Sequence, residues 1–291
     1  MAYHLVQRKM QVNNILLTVT DKELLKKVQD CTFLFPLEGF CVGYEQCFKI
    51  SEIKISNAYI LINRILDDKD LNVLENILKS IPNNISGIIF EDLGVLELIN
   101  ELNLNVKKIY YMIHNGLNYQ SINEYLKMVD SVIISSDITK EEINEILDKT
   151  NKPCIIYTFG LNDLMYSRRT LLSNFDRYHN LEIKRVSDIT EPINNYKFKV
   201  MENDFGTIFY SGKYYYNKDL MLHKNILYNW VNPLFLDTDI VVELVSRIIN
   251  NQDLDNLNIE LDNTFLNKKS IVNIKEVIKW KKLNYLLRQG I

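Results

Sequence analysis

Residues 157–174 read Y-T-F-G-L-N-D-L-M-Y-S-R-R-T-L-L-S-N. They continue a short apolar run, Cys154-Ile155-Ile156-Tyr157, with the composition of a buried strand. Gly160 is expected to break that strand, and a doubly basic segment follows, Tyr166-Ser167-Arg168-Arg169. Many α/β proteins build a binding face in this way, from a strand that ends at a glycine and then presents Ser and Arg. The fold turns on whether the same unit recurs before it.

It does recur. Apolar runs at 15–19, 32–35, 58–62, 87–90, 108–113, 132–134 and 154–157 are each followed by a polar break and then, in most units, a helical stretch. Asp21 caps a helix through Val28, and a helix over about 70–80 carries Leu71, Leu74, Ile77 and Leu78 on one face. Another runs from 95 to 102. Ser121 caps a further one, and Thr139 to Glu142 is a T-x-x-E capping box opening a helix to Lys149. Continuous rather than alternating apolar strands indicate a parallel sheet covered on both faces. Seven such units favour a (β/α)8 barrel over an open sheet, with 234–236 as the eighth strand. In a barrel the polar residues that end the strands gather at one mouth. Here these are Asn63, Glu91, Asp92, His114, Asn115, Ser135, Asp137 and Asn162.

After 175 the pattern changes. Residues 196–201 and 207–210 alternate in the strand period around Glu202-Asn203-Asp204-Phe205-Gly206, which predicts a hairpin inserted near 195–217. The expected organisation is one barrel domain over 1–250 and a tail over 251–291 carrying a helix at 271–287.

The chain has 291 residues, 47% hydrophobic and 24% charged, with a formal charge of −3, which carries no signature of a nucleic-acid or membrane-surface protein. The first ten residues lack a signal-peptide pattern, and no apolar run approaches a membrane span, so a cytoplasmic protein is expected. Abundant Asn, Ile and Lys with scarce Ala suit an AT-rich bacterial genome. Cys31, Cys41, Cys47 and Cys154 form no C-x-x-C pair and read as reduced thiols rather than metal ligands.

Three segments carry a family likeness: G-I-I-F-E-D-L at 87–93, V-I-I-S-S-D-I-T-K-E-E-I at 132–143, and the stretch 159–174. They match in order and spacing the patterns G-I-I-x-x-D-L-G, L-S-R-E-L-x-x-E-E-I, and a Gly followed by Y-S-x-R-C. Over about residues 12–250 the chain resembles the collagenase-like peptidases of peptidase family U32. The resemblance implies a TIM-barrel fold and hydrolysis of peptide bonds at the barrel mouth. Some members of that family instead hydroxylate RNA or quinone precursors with an iron–sulfur cluster held by four Cys. Here Thr170 stands where the cluster-bearing relatives have Cys, and no Cys follows Cys154, so no cofactor is expected. Ser136 and Asp137 replace the family Arg and Glu, and Ile155 replaces a Glu, whereas Asp92, Ser135, Gly160, Ser167 and Arg169 match.

The catalytic candidates are His114, Asp92 and Ser135, and the substrate-binding candidates are Arg169, Arg168, Asp137, Asn63 and Ser167. His114 at a strand tip is a candidate base. Asp92 either serves the mouth or caps the next helix, and Ser167 is either a nucleophile or a turn residue. The planar forks of Arg168 and Arg169 suit a carboxylate or phosphate, although Arg169 equally fits an ion pair with Asp137 or Asp92. The expected ligand is a peptide or an anion. The alternative is a non-catalytic member that binds protein or RNA.

Overall fold

A computed structural model describes residues 11–268, apart from positions 13, 113 and 194. Seven strands alternate with helices along the first half of the chain. They are β1 (Ile15–Thr18), β2 (Thr32–Pro36), β3 (Ala58–Ile62), β4 (Ile85–Phe90), β5 (Lys107–Tyr111), β6 (Ser131–Ile134) and β7 (Cys154–Ser167). Three further strands follow, β8 (Val186–Thr190), β9 (Lys197–Asn203) and β10 (Gly206–Tyr216), before β11 (Ile226–Asn232). Each of β1 to β6 pairs in parallel with the next, and β11 pairs in parallel with both β7 and β1. Eight strands therefore close a (β/α)8 barrel, as the repeated units predict.

The strands are apolar throughout because both faces are covered. Every residue of β3 is buried, with helices outside and side chains of other strands inside. The interior is aromatic. Tyr59 and Tyr228 meet edge to face at 5.5 Å, and nearer the mouth Trp230 meets Tyr111 and Tyr157 at 5.1 and 5.0 Å. Trp230 is fully buried, and its indole N–H donates to Thr18 Oγ1 at 2.9 Å, so its one polar atom is satisfied.

The helix signals read as expected where the capping chemistry is strong. Helix α5 (Lys140–Lys149) starts at the Thr139–Glu142 capping box. The second helix, α2 (Asp68–Leu78), begins two residues before its expected start, because Asp67 accepts from the N–H groups of Lys69 and Asp70. Ser121 does not cap the helix over Tyr119–Tyr125: Asn118 does, accepting the Ser121 N–H at 2.9 Å.

Two strand expectations are corrected. The eighth barrel strand is not 234–236 but Ile226–Asn232, and Phe235 instead takes a positive φ of 63°. Gly160 does not break β7, which runs on to Ser167. The hairpin is present as β9 and β10, with β8 added on its outer edge. The tail helix expected at 271–287 lies outside the described residues. Among the described residues no helix is long and apolar enough to cross a membrane.

The continuation of β7 decides the shape of the mouth. At about 3.3 Å per residue, the stretch from Leu161 to Ser167 projects roughly 20 Å beyond the barrel wall. β10 pairs antiparallel along this projection and carries β9 and β8 with it. In the ring β7 stands opposite β3, and the projection reaches across to that side. The Asn203 amide donates to Cys41 O at 2.9 Å, and the Tyr210 hydroxyl donates to Gly43 O at 2.8 Å. Arg64, just beyond β3, lies over the Phe205 ring at 4.0 Å. The antiparallel sheet thus roofs the C-terminal end of the barrel.

Candidate active site

Beneath the roof, the strand tips and the underside of β7 enclose a few ionisable groups. Asp163 comes from β7 itself. The pairing register slips on both sides of the Asp163–Tyr210 pair, and irregularities of this kind re-aim side chains beside active sites. The Asp163 carboxylate accepts a hydrogen bond from the Tyr111 hydroxyl at the tip of β5, at 3.3 Å. Burial pushes Asp163 up to about 7, the neighbouring Asp137 adds to the rise, and the Tyr111 hydroxyl and His114 oppose it. An acid that titrates near neutrality has the balance of charge and basicity that proton transfer needs.

A small hollow adjoins Asp163. Tyr111, Ser135, Asp137, Tyr157 and Asn162 also line it, and its volume of about 10 Å³ suits about one water molecule. Its hydroxyl groups are firmly placed. Tyr157 donates to Leu161 O at 2.7 Å, and Ser136 donates to Asn162 Oδ1 at 2.9 Å, joining the end of β6 to the roof. Burial holds the hydroxyls of Tyr44, Tyr111, Tyr157 and Tyr210 well above the usual tyrosine range, so all four remain protonated at neutral pH.

The expected site residues divide into two groups. His114, Ser135 and Asp137 come together. His114 Nδ1 lies 3.0 Å from Asp137 Oδ2, and the Asp137 N–H donates to Ser135 Oγ at 3.2 Å. The His114 side chain is 56% exposed, which places this pair on the open side of the hollow. The others do not line the hollow. Asp92 caps the helix α3 (Leu93–Glu101), accepting from Gly94 N at 2.8 Å and Leu66 N at 3.3 Å. Asn63 is tied through its amide to both backbone groups of Val42. Ser167 accepts the Arg169 N–H at 3.2 Å, a turn contact. Arg168 faces Asp67 at 3.7 Å with both side chains about half exposed. Arg169 is exposed, and among the described residues its guanidinium pairs with neither Asp137 nor Asp92.

Thr170 leads into the helix α6 (Leu171–Tyr178) but supplies no side-chain cap. Glu202 of β9 takes that part instead, accepting from Leu172 N, Ser173 N, the Ser173 hydroxyl and the Thr207 hydroxyl. The four cysteines do not fit a cluster. Cys31 and Cys154 lie at the N-terminal ends of β2 and β7, whereas Cys41 and Cys47 lie past the C-terminal end of β2, at the other end of the barrel. Burial also pushes all four thiols up, Cys31 to about 12 and Cys47 and Cys154 to about 11, which opposes the thiolate a metal needs.

Sequence reasoning missed Asp163, Tyr111 and Tyr157 as site residues. No motif marked Asp163, because its position depends on β7 continuing past Gly160. Tyr111 and Tyr157 stand in apolar strand runs, and nothing local distinguishes a mouth tyrosine from a core one.

The family model of Peptidase family U32 matches residues 44–214, which include every group named in the hollow. Among solved structures, the chain is similar to the Bacillus cereus spore cortex-lytic enzyme SleL, with 8% identity and a TM-score of 0.41 over 84% of this chain and 75% of that one. It is also similar to a chitinase from Chromobacterium violaceum, with 10% identity and a TM-score of 0.38 over 80% of this chain and 98% of that one. No curated protein matches the sequence.

Proposed function

Because the chain belongs to peptidase family U32, we propose that it hydrolyses amide bonds of peptides, with Asp163 as the general base for a water held in the hollow below the roof. The observation that carries this reading is Asp163, a carboxylate titrating near 7 beside a space for one water. Its proton affinity lets it accept a proton from water and release it again at neutral pH. The Tyr111 hydroxyl gives its one proton to Asp163 and the Tyr157 hydroxyl gives its own to Leu161 O, so both position the base and the floor of the hollow. His114, paired with Asp137 at the open side, is placed to bind the free carboxylate of a peptide or another anion. Ser135 is no nucleophile in this reading: its oxygen accepts from Asp137 N, and His114 Nδ1 is directed to Asp137.

The test is digestion of a proteome-derived peptide library, with cleavage products identified by mass spectrometry. Wild-type protein should cut a defined subset, and Asp163→Asn should lose at least about 100-fold of that rate. A second reading, a non-catalytic member that binds protein or RNA, is favoured by the several bonds that fasten the roof over the mouth. Identical, uncut libraries from wild type and Asp163→Asn would establish it over the hydrolytic one.

A further inference from the structure

Asn162 directly precedes Asp163 on β7, and both side chains line the hollow. On a regular strand two successive side chains point to opposite faces. Here the ladder between β7 and β10 is interrupted. Its pairs run Phe209–Met165, Tyr210–Asp163 and Tyr214–Leu161, which leaves Asn162 and Leu164 of β7 and residues 211–213 of β10 out of register. The Asn162 N–H accordingly donates to Ser211 Oγ at 2.9 Å rather than to a carbonyl of β10. Bulges of this kind re-aim side chains, and this one brings two neighbours to the same space.

Asn162 is 5% exposed, so a few contacts decide what its amide does. Its oxygen accepts the Ser136 hydroxyl proton at 2.9 Å, which fixes how the amide is turned. The nitrogen, on the other branch, carries two N–H donors, and among the described residues no acceptor takes either. Three hydroxyl protons of the hollow are already given away: Tyr111 donates to Asp163, Tyr157 to Leu161 O, and Ser136 to Asn162 itself. A neutral donor held in a buried site, beside the carboxyl group that takes a proton from water, is the arrangement that stabilises an oxyanion.

We propose that the Asn162 amide is the oxyanion donor of the site and that Ser136 is its positioning residue, an assignment that rests on the hydrolytic reading given above. Asp163 takes one proton from water as the water oxygen bonds to the scissile carbonyl carbon, and the carbonyl electron pair moves onto its oxygen. The attacking oxygen and the oxyanion are bonded to one carbon, so with the first held at Asp163 the second falls to the donor beside it. The pair then returns to re-form the C=O bond, the C–N bond breaks, and the nitrogen takes the proton from Asp163. The products are a carboxylic acid and an amine. Asp163 is again the anion, and Asn162 has neither gained nor lost a proton.

Steady-state kinetics on the library peptide that wild type cuts fastest test this. Asn162→Leu keeps roughly the volume of the side chain and lacks its N–H groups. It should lose about 100-fold or more of kcat while KM stays within about threefold of wild type. Asn162→Ala should divide its loss in the same way, and it supplies the comparison should the leucine variant fold poorly. Ser136→Ala should lose about fivefold to tenfold of kcat with KM unchanged, and Ser136→Thr should regain most of it, since a threonine hydroxyl makes the same bond. Wild-type kcat in the Asn162 variants, or a loss carried by KM alone, would overturn the assignment and leave the hydrolytic reading standing. Wild-type kcat in Ser136→Ala would overturn the positioning role. A wild-type protein that cuts no peptide of the library would overturn both the assignment and the reading beneath it.

Discussion

The Tyr111 hydroxyl donates to Asp163 Oδ2 over 3.3 Å, joining the tip of the fifth barrel strand to the sheet that crosses the mouth. This one bond spans wall and roof. It is also the strongest influence opposing the burial that makes Asp163 a weak acid. Removing it in Tyr111→Phe takes a donor from the anion and raises Asp163 further. The acidic limb of the pH–rate profile should therefore move to higher pH, measured with the wild-type protein as control. An unmoved limb would show that the bond does not govern Asp163.

Asp163→Asn should stabilise the fold while abolishing activity. The folded carboxyl titrates near 7 and the unfolded one near its ordinary 3.8, so between those values the folded state holds a proton that the unfolded state has lost. Unfolding then releases a proton, and wild-type stability falls as pH rises from about 4 through about 7. The amide has no such titration. At pH 8 the variant should be more stable by an amount on the order of a few kcal/mol, and its stability should be flatter across that window. Urea denaturation at pH 4, 6 and 8 gives the comparison.

Gly160 sits at φ +152° where β7 leaves the barrel, and a Cβ there would come within 2.0 Å of the Tyr157 hydroxyl and 2.7 Å of Asn232 O. The carbonyl belongs to the neighbouring strand and cannot swing aside like a flexible side chain. Gly160→Ala should cost about 2–4 kcal/mol in denaturant melts and displace Tyr157 from its bond to Leu161 O. A cost below about 0.5 kcal/mol would contradict this account of the glycine.

Arg64 clamps the far side of the roof. Its guanidinium pairs with Asp70 at 2.5 Å, donates to Gly39 O at 2.6 Å and lies over Phe205. The fork is planar, so stacking and donation to two separate acceptors are made at once, which a lysine ammonium does not reproduce. Arg64→Ala should lose about 2–4 kcal/mol, Arg64→Lys should recover less than half of that, and hydrogen exchange should accelerate at the Asp204–Phe205 turn in both. Unchanged exchange at the turn would rule out the clamp.

Much of this architecture was written locally. The apolar run at 58–62 coincides with β3, and the box at Thr139–Glu142 opens α5, because continuous burial and reciprocal capping leave a short-range imprint. The eighth strand escaped because its buried polar residues look like loop. Asn229 is satisfied only by distant partners, accepting from Thr158 and donating to Met221 O. Leu234 is buried just past the strand and mimics it. Asp163 was not legible as a site residue. Asp163 reaches the mouth only because β7 passes through a glycine that ordinarily ends a strand, and only because β10 is there to pair with the projection. Long-range strand pairing of that kind leaves no periodic trace in either segment.

The claim on which the account depends is that the roof holds the Asp163 carboxyl inside the mouth, where it titrates as a neutral-pH base. Carboxyl-carbon NMR of aspartate-labelled protein, with the signal assigned by its loss in Asp163→Asn, measures this directly. The expected midpoint is about 7. A midpoint close to 3.8, the ordinary aspartate value, would place the group in open solvent and contradict it.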